Sequence, residues 1–174
     1  MIARPSACLA NPLAFLNWDR FDRIADGCYV ALRMRISGKN LKLIYMHASE
    51  TYPYECFGFL VGVREGGGLV RRAVRGANVS GERSHRFEMA SEEFLAVEAA
   101  AQRDSLEVIG FYHSHPDWPA FPSQHDLQTA WSSSYYLIVS VHDWHPLNVT
   151  IWQLADGAPG RFVSIPVEVV DDER

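Results

Sequence analysis

His113 and His115 stand one residue apart in the stretch GFYHSHPDWPAFPSQHDLQTAW (Gly110–Trp131), with Ser123 and Asp126 following after three prolines. Two neutral imidazoles and one carboxylate, with water in a fourth place, are a ligand set suited to a single catalytic zinc ion, because the open position carries the chemistry. Zinc brings the pKa of such a water to about 7 and makes it the nucleophile. A base must still accept its proton and deliver it to a leaving amine, and Glu55, at the mouth of the apolar run CFGFLVGV, is the candidate. Taken singly, each element has a plainer reading. His-x-His occurs on half-exposed strands, Ser-x-x-Asp is a variant of the helix capping box, and a lone glutamate is an ordinary surface carboxylate. Only their conjunction points to metal-assisted hydrolysis.

The elements that must hold these residues can be read from the pattern around them. LEVIGFYHSH (Leu106–His115) reads as a central strand, on which His113 and His115 share one face while Ser114 looks away. Pro116, Pro119 and Pro122 stiffen the loop that follows. Ser123 then sits at the N-cap of a short helix over QHDLQTAW, with Asp126 in its first turn. Upstream, Leu41, Ile44, Tyr45 and Ala48 share a helical face that Pro53 ends. CFGFLVGV and LVRRAVRGANV pair around the turn REGGG, and HRFEM reads as a third strand. Ser91 is the expected N-cap of a helix over EEFLAVEAAAQRD, with Glu92 and Glu93 in its first turn, and YYLIVSV, NVTIWQL and RFVSIPVEVV close the chain as strands. Hairpins mixed with helices predict an α/β fold with a mixed, mainly antiparallel β-sheet flanked by helices.

HSHPDWPAFPSQHD, preceded far upstream by ECFGFLVG, resembles the JAMM or MPN-plus zinc metalloprotease family, whose motif is a distant Glu, then His-x-His-Pro, six residues and Ser-x-x-Asp. Here Asp117 to Pro122 are the six. YPYECFGFLVG and VIGFYHSHP are also similar to the small bacterial members, and the resemblance runs from about Met34 to the C-terminal strand. It implies an MPN, cytidine-deaminase-like fold over 34–174, with His113, His115 and Asp126 as zinc ligands, Glu55 as general acid/base and Ser123 stabilising the oxyanion. It further implies cleavage after the C-terminal Gly-Gly of a ubiquitin-like sulfur-carrier protein, in a linear or an isopeptide bond. There is little room here for the insertions of the larger deubiquitinating members, which argues against a ubiquitin-specific enzyme. Two competing readings fare worse. Zinc deaminases carry H-x-E and P-C-x-x-C signatures that this chain lacks. A catalytically weak or dead MPN-type scaffold has lost ligands that are all kept here.

Other residues have plainer expectations. His125 is rotated about 100° from Asp126 along the helix and is expected to face solvent rather than the metal. His142 and His145 flank Trp144 in a polar hairpin tip, where they are solvated or touch substrate at a rim. Trp118 packs over an extended substrate tail or anchors its loop to the core. Trp131 and Trp152 read as core, Cys56 as a small buried hydrophobe, and Gly58 and Gly62 as a bulge or a close backbone approach that opens a groove for peptide.

The 174 residues, 48% of them hydrophobic, suffice for one sizeable core. A formal charge of −5 argues against nucleic acid as a partner. No apolar run is long enough for a membrane span, and the start lacks a signal-peptide pattern. Three cysteines without C-x-x-C fit a reducing cytoplasm and no thiolate zinc site. Residues 1–33 lack a sustained period and read as an N-terminal extension of uncertain structure, with a short helix over Phe15 to Ile24 as the local expectation and Met34 as a domain start.

Overall fold

In the computed structural model of the chain, the described residues are 21–23, 29–31, 33–81, 88–155 and 160–171. The chain divides into two compact units, Met1–Ala31 and Leu32–Arg174. In the first, strand β1 (Phe21–Arg23) pairs antiparallel with β2 (Tyr29–Ala31), Asp22 opposite Val30. The helix expected over Phe15 to Ile24 is therefore a strand at 21–23, where the Tyr-Val pair of β2 supplies a β-prone partner; the rest of that expectation lies outside the described residues.

In the second unit the order is β3 (Met34–Ser37), α1 (Gly38–Thr51), β4 (Phe57–Val63), β5 (Leu69–Gly76), α2 (Ser91–Arg103), β6 (Glu107–Pro116), α3 (Gln124–Thr129), β7 (Tyr135–His142), β8 (His145–Leu154), β9 (Phe162–Ile165) and β10 (Val167–Val170). These ten-odd segments place eight strands in one sheet, ordered β10-β3-β5-β4-β6-β7-β8-β9. Its β5–β4–β6 and β7–β8–β9 ladders are antiparallel, and β10–β3, β3–β5 and β6–β7 are parallel. RFVSIPVEVV, expected as one strand, is two. Pro166 lacks the N–H a ladder needs, and β9 and β10 on either side of it lie at opposite edges, so the sheet curls until its edges meet.

Ser37 caps α1 by accepting from the Asn40 N–H (3.2 Å), and Ile44 and Ala48 seat the helix against a core with Met34, Leu60, Tyr112, Leu137 and Ile151. A second cluster, Phe57, Phe59, Phe111 and Tyr136, packs with Phe94 and Val97 of α2. Ser91 does not cap α2. It is the first helical residue, Ala90 is extended at the N-cap, and the acids Glu92 and Glu93 stabilise the first turn instead. Of the strand expected over HRFEM, 85–87 lie outside the described residues, and Glu88 and Met89 are in no strand. Gly58 and Gly62 do mark a close approach and a bulge, but they face inward. A Cβ at Gly58 would strike the Tyr112 ring and the Val74 carbonyl, and one at Gly62 the Leu69 carbonyl, so they close the sheet rather than open a groove. Among the described residues no helix is long and apolar enough to cross a membrane.

Candidate metal centre

Strand β6 is buried from Ile109 to Pro116, gripped between β4 and β7, with His113 in register with Phe57 and Ile138. Period-two alternation sends Tyr112 and Ser114 to the α1 side and His113 and His115 to the other. Ser114 has a structural task that its motif position hid: its Oγ accepts from the Cys56 N–H at 2.9 Å, and its own N–H donates to the Cys56 carbonyl at 3.2 Å. The residue before Cys56 is Glu55, whose carbonyl accepts from Asn78 Nδ2 at 3.0 Å. Asn78 escaped the sequence reading, since its only signal was an asparagine at the end of a strand.

The donor atoms converge. Nε2 of His113 lies 3.1 Å from Nε2 of His115 and 3.3 Å from Asp126 Oδ1, and His115 Nε2 lies 3.7 Å from Asp126 Oδ2. Ligands about 2.0–2.1 Å from a tetrahedral zinc stand about 3.3 Å apart, so the three residues fit the ion. His115 also has the required tautomer, because its Nδ1–H donates to the Pro119 carbonyl (3.0 Å) and leaves Nε2 its lone pair. Asp126 is bound to its own helix as well. Oδ2 accepts from the N–H and the hydroxyl of Ser123, both at 2.6 Å, and the Asp126 N–H returns a bond to Ser123 Oγ at 3.1 Å. The capping box and the candidate ligand set are thus one structure.

Burial and the neighbouring charges shift the protonation of each group in the site. Burial by itself would raise the Asp126 carboxyl, but the charge of His113 and hydrogen bonds from His113, His115 and Ser123 reverse this and hold it far below the ordinary carboxylate range. Burial lowers His113 against the pull of Asp126, whereas at His115 burial is outweighed by the hydrogen bonds to Asp126 and Pro119, which raise it. Glu55, 6% exposed, goes the other way: burial, helped by the nearby Asp126 charge and opposed by His115, pushes it up to about 7. A carboxyl poised there exchanges protons readily at neutral pH.

The rise has a measurable consequence in the metal-free protein. Glu55 ionises near 4.5 in an unfolded chain and near 7 in the folded one, so folding is disfavoured above pH 4.5, increasingly so as pH rises to about 7. The difference corresponds to about 3 kcal/mol, or several degrees in Tm for a domain of this size. Glu55→Gln, which removes the ionisation, is expected to melt with the parent at pH 4.5 and several degrees higher at pH 8. Equal melting at both pH values would show that Glu55 is not desolvated.

Glu55, His115 and Ser123 line one pocket of about 300 Å³ with Trp118, Pro119 and Phe121. Trp118 and Phe121 are 67% and 63% exposed, so Trp118 walls the cleft and is not anchored in the core. His125 is partly exposed and stands outside the ligand group, as expected. It lines a second, aromatic cavity of about 360 Å³ with Phe57, Met89, Phe111, Trp131 and Tyr136. Trp131 is correspondingly half-exposed at that cavity, edge-on to Phe94 and Phe111, rather than core, whereas Trp152 is partly buried and donates to Thr150 Oγ1 at 2.7 Å. His142 is exposed and pairs with Asp117 at 2.7 Å, and Trp144 occupies the tight turn between β7 and β8. Cys56 is buried, its thiol pushed up to about 12 by desolvation.

A family model described as prokaryotic homologues of the JAB domain matches residues 39–155. A Mycobacterium tuberculosis protein named CysO-cysteine peptidase is 34% identical over 128 residues, 72% of this chain and 83% of its own length. A Haloferax volcanii desampylase is 33% identical over 75 residues, 39% of this chain and 54% of its own. Among solved structures, a Salinibacter ruber protein superposes with a TM-score of 0.62 at 36% identity, over 80% of this chain and 94% of that one. A Desulfitobacterium hafniense protein has a TM-score of 0.70 at 24% identity with the same coverage, a likeness of fold.

Proposed function

Because the chain belongs to the prokaryotic homologues of the JAB domain, we propose that it is a zinc-dependent peptidase or isopeptidase that cuts after the C-terminal Gly-Gly of a ubiquitin-like sulfur-carrier protein. The observation that carries the reading is the convergence of His113, His115 and Asp126 beside a buried Glu55 and the Ser123 hydroxyl, all opening on one cleft. The substrate class is supported by the relatives named CysO-cysteine peptidase and desampylase.

Zinc held by those three side chains supplies Lewis acidity, which makes water a usable nucleophile near neutral pH. Glu55 takes the proton from water as its oxygen adds to the scissile carbonyl carbon. The same carboxyl then gives that proton to the leaving nitrogen as the C–N bond breaks. Burial keeps its proton affinity close to the working pH, so neither transfer is steeply uphill. Ser123 is exposed at the cleft, and a turn about its Cβ–Oγ bond takes its hydroxyl from Asp126 to the carbonyl oxygen as negative charge builds there.

Ser123→Ala is expected to lose about 1 kcal/mol of stability with its cap, to keep one zinc per chain and to fall about 100-fold in kcat. Turnover equal to the parent's would leave Ser123 as a cap alone. The direct test of the function loads the protein with zinc and incubates it with a sulfur-carrier protein extended past Gly-Gly, following product mass. Release of a product ending at the second glycine, abolished by chelation, is the expected result. An intact carrier in the presence of one bound zinc per chain would overturn the substrate assignment.

A further inference from the structure

Glu55 sits on a short connection between α1 and β4, and a base on a loop needs something to hold it against the metal ligands. One end of that connection is fixed by the reciprocal bonds between Cys56 and Ser114. The other end is Tyr52, whose hydroxyl donates to Asp117 Oδ2 at 2.9 Å. Ser114 and Asp117 flank His115 and Pro116, just as Cys56 and Tyr52 bracket Glu55. The segment carrying a ligand therefore grips the segment carrying the base at both ends.

Asp117 is itself held from a third side. Its Oδ1 accepts from His142 Nδ1 at 2.7 Å, and its N–H donates to the Val141 carbonyl at 2.7 Å. Tyr52 leans on Trp144 of the same hairpin, ring centroids 5.0 Å apart, and Ser49 Oγ donates to the Trp144 carbonyl. The backbone of Asp117 lies in the left-handed region at φ 59°, which suits glycine, asparagine and aspartate. A glycine would meet the backbone demand equally well. What aspartate adds is a carboxylate with two oxygens for two partners.

We propose, resting on the peptidase reading above, that Asp117 is a positioning residue: its carboxylate ties Tyr52 and the β7–β8 hairpin to the end of β6 and so sets Glu55 opposite His115. Misplacement of a catalytic group by about 1 Å costs about 100-fold in rate, while substrate affinity depends on surfaces elsewhere. The effect should therefore appear in kcat and spare KM.

Three variants separate carboxylate from backbone. Asp117→Gly keeps the φ and removes both bonds. Asp117→Asn keeps both, its amide oxygen accepting from Tyr52 and its NH2 donating to the other tautomer of His142. Tyr52→Phe removes only the link to the base. With the zinc-loaded protein and the extended carrier, Asp117→Gly is expected to lose about 10- to 100-fold in kcat with KM nearly unchanged and one zinc retained, Tyr52→Phe to lose less, and Asp117→Asn to recover most of the rate. Amide hydrogen exchange, read without substrate or zinc, should show Tyr54 to Cys56 exchanging faster in Asp117→Gly and Tyr52→Phe and returning in Asp117→Asn. That readout stands even if the carrier is not cleaved, so a wrong substrate and a wrong role for Asp117 are told apart. Parent-like exchange at Tyr54 to Cys56 in Asp117→Gly, with any change confined to 118–122, would overturn the proposal, as would a parent-like kcat.

Discussion

Glu55→Gln is expected to hold one zinc per chain and to turn over about a thousandfold more slowly than the parent. The two parts of that result come from different features of the site. Zinc retention follows because the donor atoms of His113, His115 and Asp126 already form a group within 4.8 Å of one another, complete without Glu55. Loss of turnover follows because glutamine has the shape of glutamate and cannot accept a proton. Among the described residues nothing nearby replaces it: Asp126 is held far too acidic, and His115 spends its Nδ1 proton on the Pro119 carbonyl. Metal analysis beside kcat on the extended carrier checks both. Joint loss of zinc and rate would make Glu55 a ligand rather than the base, and an unimpaired rate would remove it from the chemistry.

How much of this was legible beforehand depended on whether a feature is local in the chain. The His113/His115 face, the Ser123 cap with Asp126 in its first turn, and the buried Cys56–Val63 run follow from strand alternation and capping, which act over two to four residues. The same locality misled the reading of RFVSIPVEVV. Its residues all favour strand, and only the requirement that Pro166 make no ladder bond, together with an edge for each half, splits it across the sheet. Trp131 was misplaced because its surroundings, Phe57, Met89, Phe111 and Tyr136, come from four distant segments. Ser91 lost its capping role by one residue of helix phase. Asp117 was passed over as one of six spacer positions, since Tyr52 and His142 approach it only through tertiary structure.

His113→Ala is expected to abolish zinc binding, and with it both turnover and the response of Tm to zinc. The parent should respond strongly. Asp126 is 4% exposed and His113 is fully buried, yet without metal the Asp126 carboxylate keeps the Ser123 N–H and hydroxyl, and both histidines face it. Two apolar clusters hold the fold apart from these side chains, so zinc is expected to add to a fold that already exists. At a thousandfold excess over Kd, binding contributes about 4 kcal/mol, which raises Tm by about 8–16 °C in a domain of this size. Removing one of three ligands deletes that increment, because the two that remain cannot hold the ion against water. His113→Ala also leaves a small void between Phe57 and Ile138, so its Tm falls somewhat without zinc as well; the diagnostic quantity is the zinc-dependent shift, not Tm itself. Scans with and without added zinc, after chelation and dialysis, measure it. A shift in His113→Ala as large as the parent's would place the metal elsewhere on the chain and dissolve the ligand set on which the proposed chemistry depends.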